Sequence, residues 1–361
     1  MDGLKSAGLR VLPVGSVLLT TRATIGLAAI TALPITTNQG FQSLVGKNGT
    51  DSLWLYYCIS SKSRELERRG AGSTFREVSR DGVRTLPILL PPLSEQRAIA
   101  AVLDAIDEAI ERADEVIAAT ERLRDALLHE LLTRGLPGLR SEWREVPGLG
   151  TIPASWRAVR LGDVAEVIGG STPSRTQPKF WGGEIPWVVP SEVTELVDRE
   201  LRSSRESITD KGLRAAGLRV LPARSVLLTT RATIGATAIA ACPVTTNQGF
   251  QSLVGKTGID SLWLYYCVSS KRRELMRRSA GSTFREVSRD AVRNLPVLLP
   301  PLLEQRAIAA VLDSVDANIE SAHEERIALS TAATSVADAL LTGRVRVDQR
   351  REKGHGPTRK G

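Results

Sequence analysis

The feature that most constrains this chain is a long internal repeat. Residues 4–107 match residues 213–316 at a constant offset of 209, without a gap, with 83 identities in 104 positions. The blocks VLLTTRATIG, TTNQGFQSLVGK, DSLWLYYC, GSTFREVSRD and EQRAIAAVLD each occur twice. So long a period excludes solenoid arrays, whose units span about 20–50 residues, and leaves a duplicated domain pair. The total of 361 residues suits two or three domains. One block breaks the symmetry: residues 156–211 precede the second copy and have no counterpart before the first. The chain is therefore read as starting in the middle of its first globular lobe.

Each copy divides at a proline pair, Pro91-Pro92 and Pro300-Pro301. Before it lie short β-type runs, SVLLTT, the LVGK ends and VLLPP, punctuated by Gly, Pro, Asn and Thr. Between these runs, LWLYYCISSKSRELERR has apolar spacing closer to 3.6 than to 2 and is expected to form a helix. After the prolines, Ile99, Leu103, Ile106, Ile110, Ala113, Ile117, Thr120, Leu127 and Leu131 follow a three-four spacing, weak at Arg124. That is a coiled-coil seam on a helix of roughly 50 Å. The second copy reads Ile308, Leu312, Val315, Ile319, Ala322, Leu329, Val336 and Leu340, interrupted by Arg326. Gly135 and Pro137 stop the first helix, and a loop to about Pro153 links the copies.

With 42% hydrophobic and 24% charged residues the chain is globular, and no apolar run is long enough for a transmembrane helix. A weak signal-like start, VLPVGSVLL, recurs in mid-chain as VLPARSVLL, so a cytoplasmic location with reduced thiols is expected. Three cysteines and three scattered histidines give neither a disulfide framework nor zinc spacing. The net charge of +8 resolves by segment: +5 over residues 1–93, −5 over 94–143, +8 over 144–303, −5 over 304–343 and +5 over 344–361. Basic lobes alternate with acidic helices, as expected of lobes that meet phosphate and helices that meet protein. Ordinary solvated faces would give charge of the same kind.

Several enzymatic signatures fail. Gly255-Lys256-Thr257 resembles the end of a phosphate-binding loop, but the preceding glycine, Gly249, is one position too early, and the first copy reads Gly46-Lys47-Asn48. The Pro-Pro pairs follow Leu-Leu and belong to no adenine-methyltransferase tetrapeptide, and no G-x-G-x-x-G follows a strand.

The ordered blocks WRAVRLGDVAEVIGGSTPS (156–174), FWGGEIPWV (180–188), VLLTTRATIG, TNQGFQ and LPPLxEQRAIAAVLD resemble the DNA-specificity subunit of type I restriction–modification systems. The resemblance covers nearly the whole chain, twice in its distal part. It implies an α+β fold with two target-recognition domains of mixed β with short helices. Each is followed by a long helix, and the two helices pack as an antiparallel coiled-coil spacer. On that reading residues 1–93 are a partial first target-recognition domain and 94–134 the first spacer helix. Residues 135–155 form a linker, 156–303 the second target-recognition domain, 304–343 the second spacer helix, and 344–361 a basic, disordered tail.

The resemblance also implies a non-catalytic chain that reads a bipartite site on double-stranded DNA. It would dock methyltransferase (modification) subunits and, through them, motor-nuclease (restriction) subunits. No cofactor is expected on this chain; S-adenosylmethionine, ATP and magnesium are expected on the partner subunits, and no membrane is involved. Near-identical distal lobes related by a pseudo-twofold axis would favour similar half-sites in inverted orientation. A truncated or silent copy serving as a recombination reservoir, a docking scaffold without DNA specificity, and an enzyme in its own right are the alternatives.

The candidate DNA-binding residues start with Ser171, Thr172, Arg175 and Lys179, in a Gly/Ser/Pro-rich loop with basic residues that suits a groove or a solvated loop alike. Arg231, copied as Arg22, suits guanine or the anchoring of a carboxylate, and Asn247 with Gln248, copied as Asn38-Gln39, suits adenine. For both, a scaffold role is favoured. Arg285 and Arg289, near Ser282-Thr283, suit phosphate contact or surface ion pairs. Trp181 and Trp187 are expected to pack inside the lobe rather than to stack on bases.

Overall fold

The computed structural model describes residues 10–70, 76–138, 142–148, 150–279 and 285–347. Ser282 and Thr283 lie outside the described residues. By internal contacts the chain divides into two compact units, one of Met1–Val116 with Ala322–Gly361 and one of Ile117–Ser321. The units do not follow the sequence copies, because each takes one lobe and half of each long helix.

In the first unit the run SVLLTT becomes β1 (Val17–Thr20), flanked by β2 (Ala28–Ile30) and β3 (Phe41–Leu44) in an antiparallel sheet of order β2-β1-β3. Helix α1 (Ser52–Ser60) follows, with Asp51 as its N-cap accepting from the Trp54 N–H at 2.9 Å. The expected single helix is broken: α2 (Ser63–Arg69) starts afresh after Lys62, whose φ/ψ of −93°/6° leaves the helical region. The Ser61 hydroxyl bonds the Cys58 carbonyl at 2.8 Å, a local bond that competes with helix continuation. Short α3 (Arg80–Arg84) leads to the long helix α4 (Leu93–Thr133).

The segment between the long helix and the second lobe is not only a loop. It forms a hairpin of β4 (Trp143–Val146) and β5 (Gly150–Pro153), anchored by buried Ile152 and by Arg144, which donates to the Trp156 carbonyl at 2.7 Å.

The second lobe repeats the first and adds to it. The block absent from the first copy supplies β6 (Arg157–Arg160), α5 (Leu161–Val164), β7 (Ala165–Gly169), a 3-10 turn at Pro178–Phe180, β8 (Trp181–Val188), α6 (Pro190–Thr194), β9 (Glu200–Leu201), β10 (Glu206–Ile208) and the start of α7 (Asp210–Ala215). The repeated part supplies β11 (Val226–Leu228), β12 (Thr237–Ala240), β13 (Thr245–Thr246), β14 (Gln251–Gly255), α8 (Ser261–Ser270), α9 (Arg272–Arg278), α10 (Arg289–Arg293), β15 (Pro296–Leu299) and the long helix α11 (Leu302–Leu341). The main sheet now has five strands in the order β7-β14-β11-β12-β9, accompanied by β10-β8-β13 and by the pair β15-β6.

The added strands explain a difference between the copies. VLLPP is strand β15 in the second lobe, where it pairs with β6 from Pro296↔Arg160 to Leu299↔Arg157. The matching stretch, residues 87–90, with no β6 beside it, is not a strand and its Ile88, Leu89 and Leu90 are exposed.

Each unit has its own core. In the second, Trp263, Tyr266, Trp156 and Leu161 pack with Leu128 and Leu131 of α4 and with Ile308 and Leu312 of α11. In the first, Val17, Leu19, Trp54, Leu66, Ile99 and Leu103 pack with Leu340 of α11. Each fully buried aliphatic contributes about 1.5–3 kcal/mol. Within each unit the helix halves run antiparallel: Asp114 pairs with Arg326 and Glu95 with Arg346 in the first, and Arg124 pairs with Asp316 in the second. The two arginines that interrupt the apolar seams are thus the ion-pairing positions, the usual device for fixing register.

The repeated EQR block also acquires a physical role. Gln96, buried at the start of α4, accepts from the Asp51 N–H at 2.8 Å and donates to the Gly49 and Pro91 carbonyls at 3.0 and 2.8 Å. Gln305 makes the matching bonds to Asp260, Gly258 and Pro300. Of the expected disordered tail, residues 344–347 are engaged instead: Arg346 makes two bonds to Glu95, at 3.0 and 2.9 Å, and Val347 packs on the first core. The remainder of the tail lies outside the described residues.

Candidate nucleic-acid interface

Most of the candidates between Ser171 and Arg289 are brought side by side in the second lobe. Strand β7 ends at Gly169, and Gly170 follows in a place where any side chain would collide with the carbonyl oxygens of Thr246 and Asn247. This close approach seats the loop on the TTNQG turn: the Ser171 N–H donates to the Thr246 carbonyl at 3.0 Å and the Thr172 hydroxyl donates to Gln248 Oε1. The turn is closed by Asn247, whose Oδ1 accepts from the Gly249 N–H at 2.8 Å, so one edge of its amide serves the backbone. Next to it, the Thr230 N–H donates to the Gly249 carbonyl at 2.7 Å, and the Val287 N–H donates to the Thr230 carbonyl at 3.0 Å. Loop 170–172, turn 246–249, the TTR strand end and the segment from Arg285 to Arg289 therefore form one continuous strip.

Within the strip the candidates differ. Arg285 and Arg289 are exposed and have no ion pair among the described residues. Gln248 is exposed and Asn247 half-buried. Arg231 is engaged: its guanidinium lies 2.9 Å from Glu286 Oε2 and its backbone bridges to the same residue. Arg22 makes the same 2.9 Å pair with Glu77. TTRATIG itself is a tight turn with Ala232 at φ 55° and Gly235 at φ 84°, closed by the Ala236 N–H on Thr229 Oγ1 at 3.0 Å. Its recurrence thus has a backbone reason, and Arg231 anchors a carboxylate.

Arg175 is also engaged. It makes two hydrogen bonds to Glu206, one of 2.8 Å, and its guanidinium lies 3.8 Å from the centre of the Trp181 ring and 5.0 Å from that of Trp187. The Glu206 bonds hold the Arg175 pKa above its ordinary value and the Glu206 carboxyl below its own. Trp181 and Trp187 meet edge to face at 4.9 Å, and Trp187 is buried with its Nε1–H on the Ser171 carbonyl at 3.0 Å. Both rings brace the loop. Lys179 stands apart on the 3-10 turn, exposed, with its ammonium 5.6 Å from the Phe180 ring and its carbonyl accepting from Thr209 at 2.8 Å.

Sequence reading missed the cations of α9. Arg272, Arg273 and Arg277 are exposed and have no ion pair among the described residues, whereas Arg278 binds Glu274 at 2.6 Å. Helix α9 starts against the TTRATIG turn, where a Cβ on Gly235 would lie 3.2 Å from Arg272 Cα. The signal was available in the alignment of the copies, because Ser63 and Glu67 of the first are Arg272 and Met276 in the second. Among the described residues no group of three or more His, Cys, Asp or Glu could hold a metal, and no helix is long and apolar enough to cross a membrane.

Comparison with known proteins places these features. The type I restriction modification DNA specificity domain matches residues 1–119 and 153–330. The type I restriction enzyme MjaIX specificity subunit of Methanocaldococcus jannaschii is 38% identical over 183 residues, 50% of this chain and 42% of that protein. The aligned part thus spans less than half the length of that relative. Among solved structures, a chain from a study of complex assembly and conformational transition of the type I R-M system has a TM-score of 0.64 at 23% identity, covering 93% of this chain and 84% of that one. The HsdS subunit from Thermoanaerobacter tengcongensis has a TM-score of 0.52 at 22% identity, covering 93% and 82%. At these identities the structures speak to the fold alone.

Proposed function

The chain belongs to the type I restriction–modification DNA specificity family, and from that premise we propose that it is a non-catalytic subunit reading a bipartite site on double-stranded DNA. The observation that carries the reading is the strip of the second lobe, where Arg285 and Arg289, without an ion pair among the described residues, lie beside the exposed Gln248 and the half-buried Thr172 and Asn247. In it Arg285, Arg289 and the α9 arginines contact phosphate, which sets affinity and register, while Thr172, Asn247 and Gln248 face base edges. Arg175 and Arg231, tied to Glu206 and Glu286, shape the surface rather than carry free charge to it.

The long helices, with −5 over residues 94–143 and −5 over 304–343, repel phosphate and serve as the docking surface for methyltransferase subunits. Motor-nuclease subunits join through those. S-adenosylmethionine, ATP and magnesium belong to the partners, and the complex works in the cytoplasm, where its DNA lies. The test is purification with a cognate methyltransferase, followed by duplex binding over a salt series. A slope of log K against log salt equal to several phosphate contacts, with preference for one sequence, supports the reading. Flat salt dependence, or cleavage or methyl transfer by the purified chain alone, refutes it.

A further inference from the structure

Helix α9 of the second lobe differs from its counterpart α2 at two positions, and both changes favour a polyanion. Ser63 and Glu67 of the first copy are Arg272 and Met276 in the second, so residues 271–278 carry +4 where residues 62–69 carry +2. Both helices keep a fully buried leucine underneath, Leu275 and Leu66.

Helix spacing decides what α9 turns outward. Met276 lies four residues from Arg272, three from Arg273 and next to Arg277, and positions three and four apart are neighbours on a helix surface. The outward face is therefore Met276, 48% exposed, among three exposed guanidinium groups. None of these three has an ion pair among the described residues. The one carboxylate of the helix, Glu274, is held by Arg278 at 2.6 Å and by Lys271 at 3.7 Å. A single exposed apolar side chain needs no explanation by itself. A thioether among unpaired cations, in the place of a glutamate, does. Met276 is also the one methionine of the chain besides Met1.

Both ends of α9 touch elements of the strip. At its start, a Cβ on Gly235 of the TTRATIG turn would lie 2.6 Å from Arg272 Cγ. At its end, Arg278 Nη1 lies 3.5 Å from the carbonyl of Asn294, the C-cap of α10, whose first residue is Arg289.

The chemistry of this face selects one occupant. A helix with its side chains is about 10–12 Å across, which fits the major groove of B-form DNA, about 12 Å wide, and not the minor groove, about 6 Å wide. Arginines on such a helix reach the phosphates of the groove walls, and the side chain between them meets base edges. The apolar group that base edges present there is the thymine 5-methyl. We propose that α9 enters the major groove with Met276 packed on a thymine methyl, which makes Met276 a specificity-determining residue. The proposal rests on the DNA reading of the strip and adds a base contact outside it.

The test uses the full chain with its methyltransferase partner and the duplex that it enriches from a random-sequence pool. Each thymine of that duplex is replaced in turn by deoxyuridine, which removes the methyl group alone. One replacement is expected to weaken binding about fourfold, the worth of one buried methyl group. With Met276→Ala the same replacement is expected to have no effect. The site is exposed and alanine is the best helix former, so this variant folds. In a second measurement, dilute hydrogen peroxide converts Met276 to its sulfoxide, and bound duplex should slow that conversion at least about fivefold, read by peptide mass. A duplex with no thymine that responds in this way, or oxidation indifferent to bound duplex, overturns the proposal and leaves the DNA reading standing. Failure to enrich any duplex removes that reading, and the proposal with it.

Discussion

Replacing Arg124 by alanine makes the second unit resemble the first at one defined point, because Ala333 is the residue one repeat later. Arg124 Nε lies 2.5 Å from Asp316 Oδ1, and the two side chains are only 26% and 19% exposed. Asp316 also accepts from the Tyr266 hydroxyl at 2.8 Å. Burial alone would lower the Arg124 pKa, but the bond to Asp316 outweighs it and the net shift is upward; burial, then Asp316, raises that of Tyr266. Arg124→Ala removes one charge-assisted hydrogen bond and leaves a half-buried carboxylate held by one hydroxyl. The expected loss is about 1–3 kcal/mol, at the upper end of hydrogen bonds to charged groups and below the cost of breaking a fully buried pair. Urea unfolding of Arg124→Ala, Asp316→Asn and the double variant gives the coupling energy directly, expected at about 1–2 kcal/mol. In the reciprocal change, Ala333→Arg places a cation where Asp107 is bound by the Tyr57 hydroxyl at 2.9 Å, and it should stabilise the first unit by up to about 1 kcal/mol. A coupling below about 0.3 kcal/mol would refute the assignment of Arg124 as a register-fixing contact.

Arg285→Ala with Arg289→Ala should flatten the salt dependence of duplex binding by about 1.8 in log–log slope, because each removes a phosphate contact worth about 0.9. Arg231→Ala should change that slope less and the thermal midpoint more, since its guanidinium is bound to Glu286. Thiol alkylation at pH 8 should modify Cys242 alone in the native chain: burial pushes Cys58 and Cys267 up to about 12, leaving roughly one part in ten thousand as thiolate. Mass spectrometry of the labelled peptides checks this. The bond from Arg175 holds the Glu206 carboxyl below its ordinary range, so its contribution is present above about pH 4.3 and is lost as pH falls through the lowered value. Near-ultraviolet circular dichroism should show that acid step in the native chain and lose it in Glu206→Gln.

The parts of the fold set by local periodicity could be read from sequence. Ile99, Leu103, Ile117 and Leu131 are buried on their helix at the positions the seam required. Contacts between distant residues could not. Arg124 looks like a flaw in the seam until Asp316 is placed opposite, 192 positions away. The break at Lys62 depends on where α2 settles, since Ser63 packs against Gly26 of the TTRATIG turn. VLLPP and ILLPP differ by one methylene and have different structures, because only the first has a neighbouring strand. In the candidate site, residue types were legible and availability was not: Arg175 and Arg285 look alike in sequence, and one is held by a carboxylate and two indoles while the other has no ion pair among the described residues.

The central claim is that the second lobe reads DNA sequence through the strip from Ser171 to Arg289. Its most direct test is selection of bound duplexes from a random-sequence pool by the full chain with its methyltransferase partner, sequenced after successive rounds. The expected result is an enriched bipartite site, one half of which is lost on Gln248→Ala with Thr172→Ala while salt-dependent binding remains. Binding without any enriched sequence, or an enriched site indifferent to these changes, would contradict it.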